Sequence, residues 1–400
     1  MSVEEGRDER ISSVERGLER VRGGKAKVAL AVQGSFGHMM YAQGMLAALQ
    51  RRDVEAIAAS SCVEMMFPVL LYAKGAAIAF DAKADLSNVW LNLWRFTANA
   101  DPIFDPFTYW KKVSEAHAEI FSGFPDSFLD PFELSGMKET ARFIPPGWLK
   151  FNPLFIRSIS DTLDALMEGT KVPVFTNALN VENFNEVILH TQPLSTEQLG
   201  RVEGAKGRRD GPRQREVLAL NAERFFASGA RPPFLAPIEV TLRPHETASG
   251  EWEAEHWMEG AMRCNPPLNP LIDVGADVIL LLRFFSRDKS IKLMRHQAAL
   301  LDRYLETMFT APLEKEIETI EAINCQSARS GGGKREVAVI DPATPTVAGA
   351  PNPAHVEALS DLVSRRLDAF SHFNAANLGL RQKIFEEGLE IGEAIADAIF

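Results

Sequence analysis

Short apolar runs alternate with segments of helical periodicity near the start of the chain. The runs at 27–34 ("KVALAVQG") and 54–60 ("VEAIAAS") predict two buried strands. Between and after them, 38–52 and 62–75 carry apolar residues at helical spacing, and the second of these helices ends at Gly75. A strand–helix–strand–helix order of this length is typical of a parallel sheet covered by helices.

The pattern continues in the middle of the chain. Segments 172–181 and 185–192 predict a pair of strands. Segment 222–240 predicts a helix, a proline-rich turn and a strand. The stretch 253–284 predicts a strand, a tight turn, a short helix and a last buried strand. The fold class is therefore α/β with a mainly parallel sheet.

Changes in composition divide the chain. Residues 1–24 are polar and predict a helix or a loose arm, and 25–285 form the α/β domain. Within that domain, about 76–170 is rich in Trp, Phe and Pro and predicts a helical insertion over a site. Residues 286–400 predict a C-terminal helical extension, interrupted by a flexible linker at about 326–335. No internal repeat is visible.

Charge and cysteine content limit the classes of function. The 400 residues carry a net charge of -11, which argues against nucleic acid as the main partner. A basic loop at 201–215 could contact anionic lipid headgroups or be an ordinary solvated loop. The three cysteines form no CxxC pair, and the charged N-terminus lacks a secretory signal, so we expect a cytoplasmic protein. No apolar run approaches the length of a membrane-spanning helix, so any membrane contact is expected to be peripheral.

The turn after the first predicted strand, "QGSFG", is a candidate anion site. Gly34 and Gly37 allow the backbone to come close to a ligand, and the N–H groups before a helix bind phosphates or oxyanions. The pattern matches neither a dinucleotide fingerprint nor a P-loop. Taken alone, the pattern favours a glycine-containing turn that binds no ligand.

The second strand–helix joint, "ASSCV", has a serine where hydrolases place a nucleophile. A nucleophile elbow favours small residues two positions before and after the serine. With Ser61 as nucleophile these positions are Ala59 and Val63, and the N–H of Cys62 would point toward an oxyanion. The alternative is that the serines cap the helix that follows.

Three blocks of sequence, taken in order, resemble the patatin-like phospholipases. The similarity spans roughly residues 26–284 and rests on the following segments: "QGSFGHMMYAQG", "ASSCV", "SGARPPFLAPIEV", "EGA" at Glu259 to Ala261, "NPPL" and "GADVILLL". The family has a glycine-rich oxyanion loop, a G-x-S-x-G elbow and an Asp in a D-G-G or D-G-A turn. Its serine and aspartate act as a dyad without histidine.

The resemblance implies a three-layer α/β/α patatin-like sandwich and a lipid acyl hydrolase activity. Ser61 would be the nucleophile and Glu259 the base, without metal or cofactor. The oxyanion and binding positions implied by the family are Gly34, Ser35, Phe36, Gly37 and Cys62. The implied partner is a lipid or another acyl ester, and the C-terminal helices could support a homo-oligomer.

Each functional motif departs from the family pattern. The loop has Ser35, Phe36 and Met39 where the family has glycine. The elbow lacks both of its glycines, and the acid is Glu259 rather than Asp. The alternative function is therefore a patatin-fold pseudoenzyme that acts as a binding or scaffold protein.

Four further side chains near these motifs have both a functional and an ordinary interpretation. Cys62 could be a nucleophile or a small buried side chain. Glu64 and His38 could contact a substrate, although each also suits its local structure. His256 would allow a Ser-His-Glu triad, which the family does not use.

Overall fold

A computed structural model describes much of the α/β domain and parts of the C-terminal segment. The described residues are 3–34, 39–62, 65–80, 160–161, 163–191, 194, 216–230, 236–247, 249–283, 297–329, 336–342 and 378–400. Almost all of the predicted aromatic insertion and the whole basic loop lie outside these ranges. So do Ser35 to His38, Val63 and Glu64.

The described residues form nine strands and seven α-helices. The strands are β1 (Val28–Val32), β2 (Ala59–Ser61), β3 (Val174–Asn180), β4 (Glu186–His190), β5 (Glu216–Ala219), β6 (Ile238–Leu242), β7 (Glu253–Glu259), β8 (Val278–Leu282) and β9 (Ala338–Ile340). The helices are α1 (Val3–Arg22), α2 (Met39–Arg51), α3 (Met66–Lys74), α4 (Ala222–Ser228), α5 (Asn269–Asp273), α6 (Gln297–Arg329) and α7 (Leu378–Ile399).

All nine strands belong to one sheet. Its main path runs β5-β4-β3-β2-β1-β8-β9, and β7 pairs with both β3 and β6. The pairs β1–β2, β1–β8, β2–β3, β4–β5 and β8–β9 are parallel. The pairs β3–β4, β3–β7 and β6–β7 are antiparallel. The predicted mixed α/β class with a mostly parallel sheet is confirmed.

Helices cover both faces of this sheet. One face packs against α2, α3, α4 and α7, through residues such as Leu46, Leu70 and Ile395. The other face packs against α5 and α6, through residues such as Leu271 and Ile317. Because apolar side chains are covered on both sides, β1 and β8 read as continuous apolar runs rather than as alternating patterns.

Local signals fix several helix ends. Gly75 follows α3 in the left-handed region with a φ of 69°, and its N–H reaches the carbonyl oxygens of Leu71 and Tyr72. The prediction that Gly75 ends this helix is confirmed. At the start of α4, the side chain of Asn221 accepts a hydrogen bond from the N–H of Arg224.

The N-terminal segment, for which the sequence left a helix and a loose arm open, forms α1. Its side chains Val14 and Leu18 are buried in the core. Arg16 forms an ion pair with Glu336, just before β9, with an N–O distance of 2.6 Å. The ion pair joins α1 to the segment that leads into β9.

The C-terminal segment contributes directly to the core. Strand β9 extends the sheet beside β8, and α7 packs along α2 at unusually close range. A methyl group on Gly44 would overlap the carbonyl oxygen of Phe385, and one on Gly388 would overlap that of Tyr41. Two small residues facing each other therefore set the distance between these helices.

Ion pairs also connect the C-terminal segment to the rest of the domain. Arg52 lies 2.7 Å from Asp397 at the end of α2. Beyond β8, Arg283 is buried and pairs with Asp341, which follows β9, and with Glu314 of α6. Among the described helices, none has a stretch of residues long and apolar enough to cross a lipid bilayer.

Candidate functional site

The register of three strands brings the predicted nucleophile and acid to one place in the sheet. Ser60 lies opposite Phe175 of β3, and Glu259 lies opposite Ala178 of the same strand. Strand β4 occupies the other edge of β3 at these positions, so β2 and β7 meet end to end along one edge. The two paired positions on β3, Phe175 and Ala178, are three residues apart, which is about 10 Å. Ser61, the last residue of β2, lies within this interval.

The pleat determines which side chains share a face. Residues paired across a sheet point to the same side, and successive residues point to opposite sides. Ala59 pairs with Val174, so Ser61 shares their face of the sheet. Glu259 pairs with Ala178, which is on that same face because it is four residues after Val174. Ser60 points to the opposite face.

Both members of the candidate dyad are buried. Ser61 and Glu259 have relative exposures of 0%. The Ser61 hydroxyl has no hydrogen-bond partner within the described part of the chain. The same is true of the hydroxyl of Thr176, which projects from β3 on the same face and next to Ser61. Sequence reasoning missed Thr176, because a threonine in a strand is too common to be a signal.

The backbone around Glu259 is fixed from two sides. Its N–H donates to the carbonyl oxygen of Ala230 at 2.8 Å, which ties the acid to the segment after α4. The next residue, Gly260, lies so close to β3 that a methyl group there would overlap the backbone of Asn177. The glycine of the "EGA" turn is therefore required by close approach, independently of any chemistry.

The first turn is described only up to its leading glycine. Gly34 has a φ of 153°, which favours glycine, and its carbonyl oxygen accepts a hydrogen bond from Asn265 Nδ2 at 3.0 Å. The "NPPL" block thus holds the start of the predicted oxyanion loop. Ser35, Phe36 and Gly37 lie outside the described residues, so their roles stay predictions.

Cys62 is a buried side chain held by hydrogen-bond acceptors. Its Sγ lies 3.2 Å from Asn177 Oδ1 and 3.4 Å from the carbonyl oxygen of Cys264, which share the one S–H donor, and its exposure is 1%. The structural interpretation of Cys62 is the one these contacts support.

Helix α6 forms hydrogen bonds with the segment that follows Glu259. The Glu316 carboxylate accepts hydrogen bonds from the N–H groups of Leu268 and Asn269, at 3.3 and 3.1 Å. The thiol of Cys264 also donates to it. Burial, together with the negative charge of Glu316, raises the pKa of Cys264 well above its ordinary value.

His256 does not complete a triad with Ser61 and Glu259. Its side chain is about half exposed and forms a hydrogen bond with Glu182, with Nδ1 2.8 Å from Oε1. It is three residues before Glu259 in β7, so it points to the opposite face of the sheet. Within the described ranges, no group of three or more His, Cys, Asp and Glu residues is arranged to hold a metal ion.

The arrangement combines a buried serine, a carboxylate on the same face and a glycine turn held by an asparagine. Comparison of the chain with models of known protein families, and with curated proteins, finds no match. The resemblance to patatin-like phospholipases therefore rests on the order of the sequence blocks alone.

Proposed function

We propose that the protein is a patatin-like acyl-ester hydrolase that acts on lipids. The hydroxyl of Ser61 attacks the acyl carbonyl carbon, and Glu259 accepts the hydroxyl proton. When the tetrahedral intermediate collapses, that proton passes to the departing alcohol and an acyl-serine ester is left. A water molecule, deprotonated by Glu259, then hydrolyses the ester and restores both groups.

The observation that supports this proposal is the register along β3. Strand β2 pairs with β3 at Phe175, and β7 pairs with β3 at Ala178, so the ends of β2 and β7 lie near each other. Ser61 and Glu259 are on the same face of the sheet. A general base must come within about 2.6–3.2 Å of the proton donor. The Ser61 hydroxyl has no hydrogen-bond partner among the described residues, so the Glu259 side chain has to move to reach it. The glutamate is one methylene longer than the aspartate of the family, which extends its reach.

The oxyanion of the intermediate would be held by backbone N–H groups. The proposed donors are those of Gly34, Ser35 and Phe36, or their neighbours, together with that of Cys62. The contact from Asn265 to the carbonyl oxygen of Gly34 supports this, because it fixes the point from which the loop departs. Backbone donors do not depend on the side chains by which this loop departs from the family.

A fluorophosphonate probe tests the proposal, because it reacts with activated serines. Wild type should be labelled and should hydrolyse p-nitrophenyl esters, whereas Ser61→Ala should do neither. Ser60→Ala is the matched control: Ser60 is equally buried and adjacent, but points to the opposite face. Equal labelling of wild type and Ser61→Ala, or no turnover of short and long acyl esters by wild type, would contradict the proposal.

A pseudoenzyme with a binding role is the second candidate. The observation that favours it is the complete burial of both Ser61 and Glu259. In this case, restoring Gly at positions 59 and 63 and Asp at 259 should create esterase activity that wild type lacks. Ordinary turnover of esters by wild type would exclude this candidate.

The cellular setting is also part of the proposal. None of the three cysteines, all of which lie among the described residues, forms a disulfide, which suits a reducing compartment, and we propose a cytoplasmic protein that meets lipid from the aqueous side. Self-association would have to use other surfaces than the face of α7 that packs on α2, since residues such as Gly388 are already in contact there.

A further inference from the structure

A single buried asparagine on β3 contacts the residue that follows each member of the candidate dyad. Asn177 is 1% exposed. Its Oδ1 accepts a hydrogen bond from Cys62, the residue after Ser61, at 3.2 Å. Its Nδ2 donates to the carbonyl oxygen of Gly260, the residue after Glu259, at 3.1 Å.

Two further contacts fix the orientation of this amide. Nδ2 also lies 3.2 Å from the carbonyl oxygen of Cys264 and 3.1 Å from Oε1 of Glu186. Three acceptors surround the nitrogen, and a thiol donor faces the oxygen. An amide is the neutral side chain that offers a donor and an acceptor in this arrangement, whereas a carboxylate only accepts.

Asn177 acts from the face of the sheet opposite to Ser61 and Glu259. It is one residue before Ala178, which pairs with Glu259, so its side chain points away from the dyad. It therefore cannot touch the reacting atoms. It reaches instead the two turns through which the ends of β2 and β7 leave the sheet.

We propose that Asn177 is a positioning residue that couples the Ser61 turn to the Glu259 turn. This inference rests on the proposed hydrolase function. Strands β2 and β7 are not paired with each other, and each contacts β3 separately. The side chain of Asn177 links their ends, beside the direct contact of Cys62 Sγ with the carbonyl oxygen of Cys264, and it also fixes Cys62, whose N–H is a proposed oxyanion donor. Its contribution is therefore to the transition state rather than to substrate binding.

Asn177→Asp tests the coupling with little change of shape. It replaces the donor by an acceptor that faces the oxygens of Gly260, Cys264 and Glu186. We expect kcat to fall at least about tenfold, because loss of one oxyanion donor costs roughly 10²- to 10³-fold. KM should change less than about twofold. Hydrogen exchange should accelerate at least about tenfold in the peptides that contain Cys62 and Gly260.

Asn180→Asp is the matched control. Asn180 is on the same strand and equally buried, but its Oδ1 only accepts hydrogen bonds, from the N–H groups of Glu182 and Asn183. A carboxylate can keep these bonds, so kcat and both exchange rates should match wild type. Asn177→Ser removes the contacts without adding charge. It should show the same fall in kcat and the same faster exchange, and it replaces Asn177→Asp in the test if the charged variant does not fold.

The outcomes separate this inference from the proposed function. An unchanged kcat in Asn177→Asp, or equal falls in Asn177→Asp and Asn180→Asp, would overturn the positioning role. If wild type hydrolyses no ester, the hydrolase proposal fails, while faster exchange in both peptides still establishes the coupling of the two turns. Unchanged exchange would overturn the coupling, and loss of cooperative unfolding in both Asn177 variants would mean that Asn177 serves the fold alone.

Discussion

Arg283 Nη1 lies 3.1 Å from Oδ2 of Asp341, and each of these side chains is 1% exposed. The pair joins the end of β8 to the end of β9 and brings the C-terminal segment onto the sheet. Removing one partner of a buried ion pair leaves the other charge poorly compensated in a medium of low polarity.

Asp341→Ala should lower the free energy of unfolding by about 3 kcal/mol, within the range for broken buried pairs. Glu336→Gln is the control, because its partner Arg16 is half exposed and exposed pairs contribute about 1 kcal/mol or less. Urea unfolding followed by tryptophan fluorescence measures both variants. A loss no larger for Asp341→Ala than for the control would show that Arg283 is adequately paired by Glu314 alone.

Gly388→Ala should destabilise the protein, although alanine is the better helix former. Inside a helix, replacing glycine with alanine ordinarily stabilises by about 1 kcal/mol. At this position the new methyl group would overlap the carbonyl oxygen of Tyr41, so α7 would have to move away from α2. Overpacking at so close a contact should cost about 3 kcal/mol, the upper end of its usual range, and the gain in helix propensity offsets about 1 kcal/mol, so we expect a net loss of about 1–2 kcal/mol.

The control for this prediction is Ala394→Gly, also in α7. It makes no overlap and should cost about 1 kcal/mol through helix propensity alone. Thermal unfolding by circular dichroism compares the two variants. A more stable Gly388→Ala protein would mean that the two helices are not held at this distance in solution.

The free energy of unfolding should fall in acid, because protonation of Glu246 breaks its ion pair with Arg224. Burial raises the pKa of Glu246, but hydrogen bonds from the Arg224 side chain and the Arg243 N–H outweigh this, so the pKa lies below its ordinary value. A carboxyl whose pKa is lower in the folded state stabilises the fold above its unfolded pKa, near 4.3. This stabilisation is lost as the pH falls from about 5 through the folded pKa.

Unfolding free energies at pH 7 and pH 4 test this point in wild type and Glu246→Gln. The variant should be less stable at pH 7 and should lose less stability on acidification than wild type. Because the Arg224 guanidinium lies 6.0 Å from the Trp257 ring, tryptophan emission should also report the change. Parallel acid profiles for the two proteins would assign the acid sensitivity to other carboxyls.

Thiol reagents should distinguish the three cysteines of the native protein. Cys62 is buried and its Sγ lies within hydrogen-bond distance of two acceptors, and the pKa of Cys264 is raised by burial and by Glu316. Cys325, on α6, is partly exposed. We expect one fast-reacting thiol per chain at pH 7, absent in Cys325→Ser, with all three reacting after denaturation. Rapid modification of Cys62 in the native state would contradict its burial.

Much of the fold could be predicted from the sequence because its central strands are buried on both faces. The continuous apolar runs of β1 and β8 follow from that burial. Strand β5 was missed because it has four residues and follows the charged segment 201–215. The sequence alone does not distinguish a helix from a loose arm at residues 3–22, because the partners of its apolar side chains lie far away in the chain.

Part of the candidate site could likewise be predicted from the sequence, and part could not. Ser61 and Glu259 were identified from the order of sequence blocks, which carries over the layout of a family. Asn177 was not identified, since an asparagine within a strand has no local signature. Its partners are 83 residues away at Gly260 and 115 residues away at Cys62, so only the register of the sheet reveals their relationship.

The close packing of α2 against α7 also has a consequence for synthesis of the chain. Helix α2 (Met39–Arg51) is synthesised well before the helix Leu378–Ile399 that covers it. Its apolar surface therefore stays without its partner until α7 has been translated, a situation that favours aggregation. Chains that terminate before α7 should depend on chaperones or be degraded.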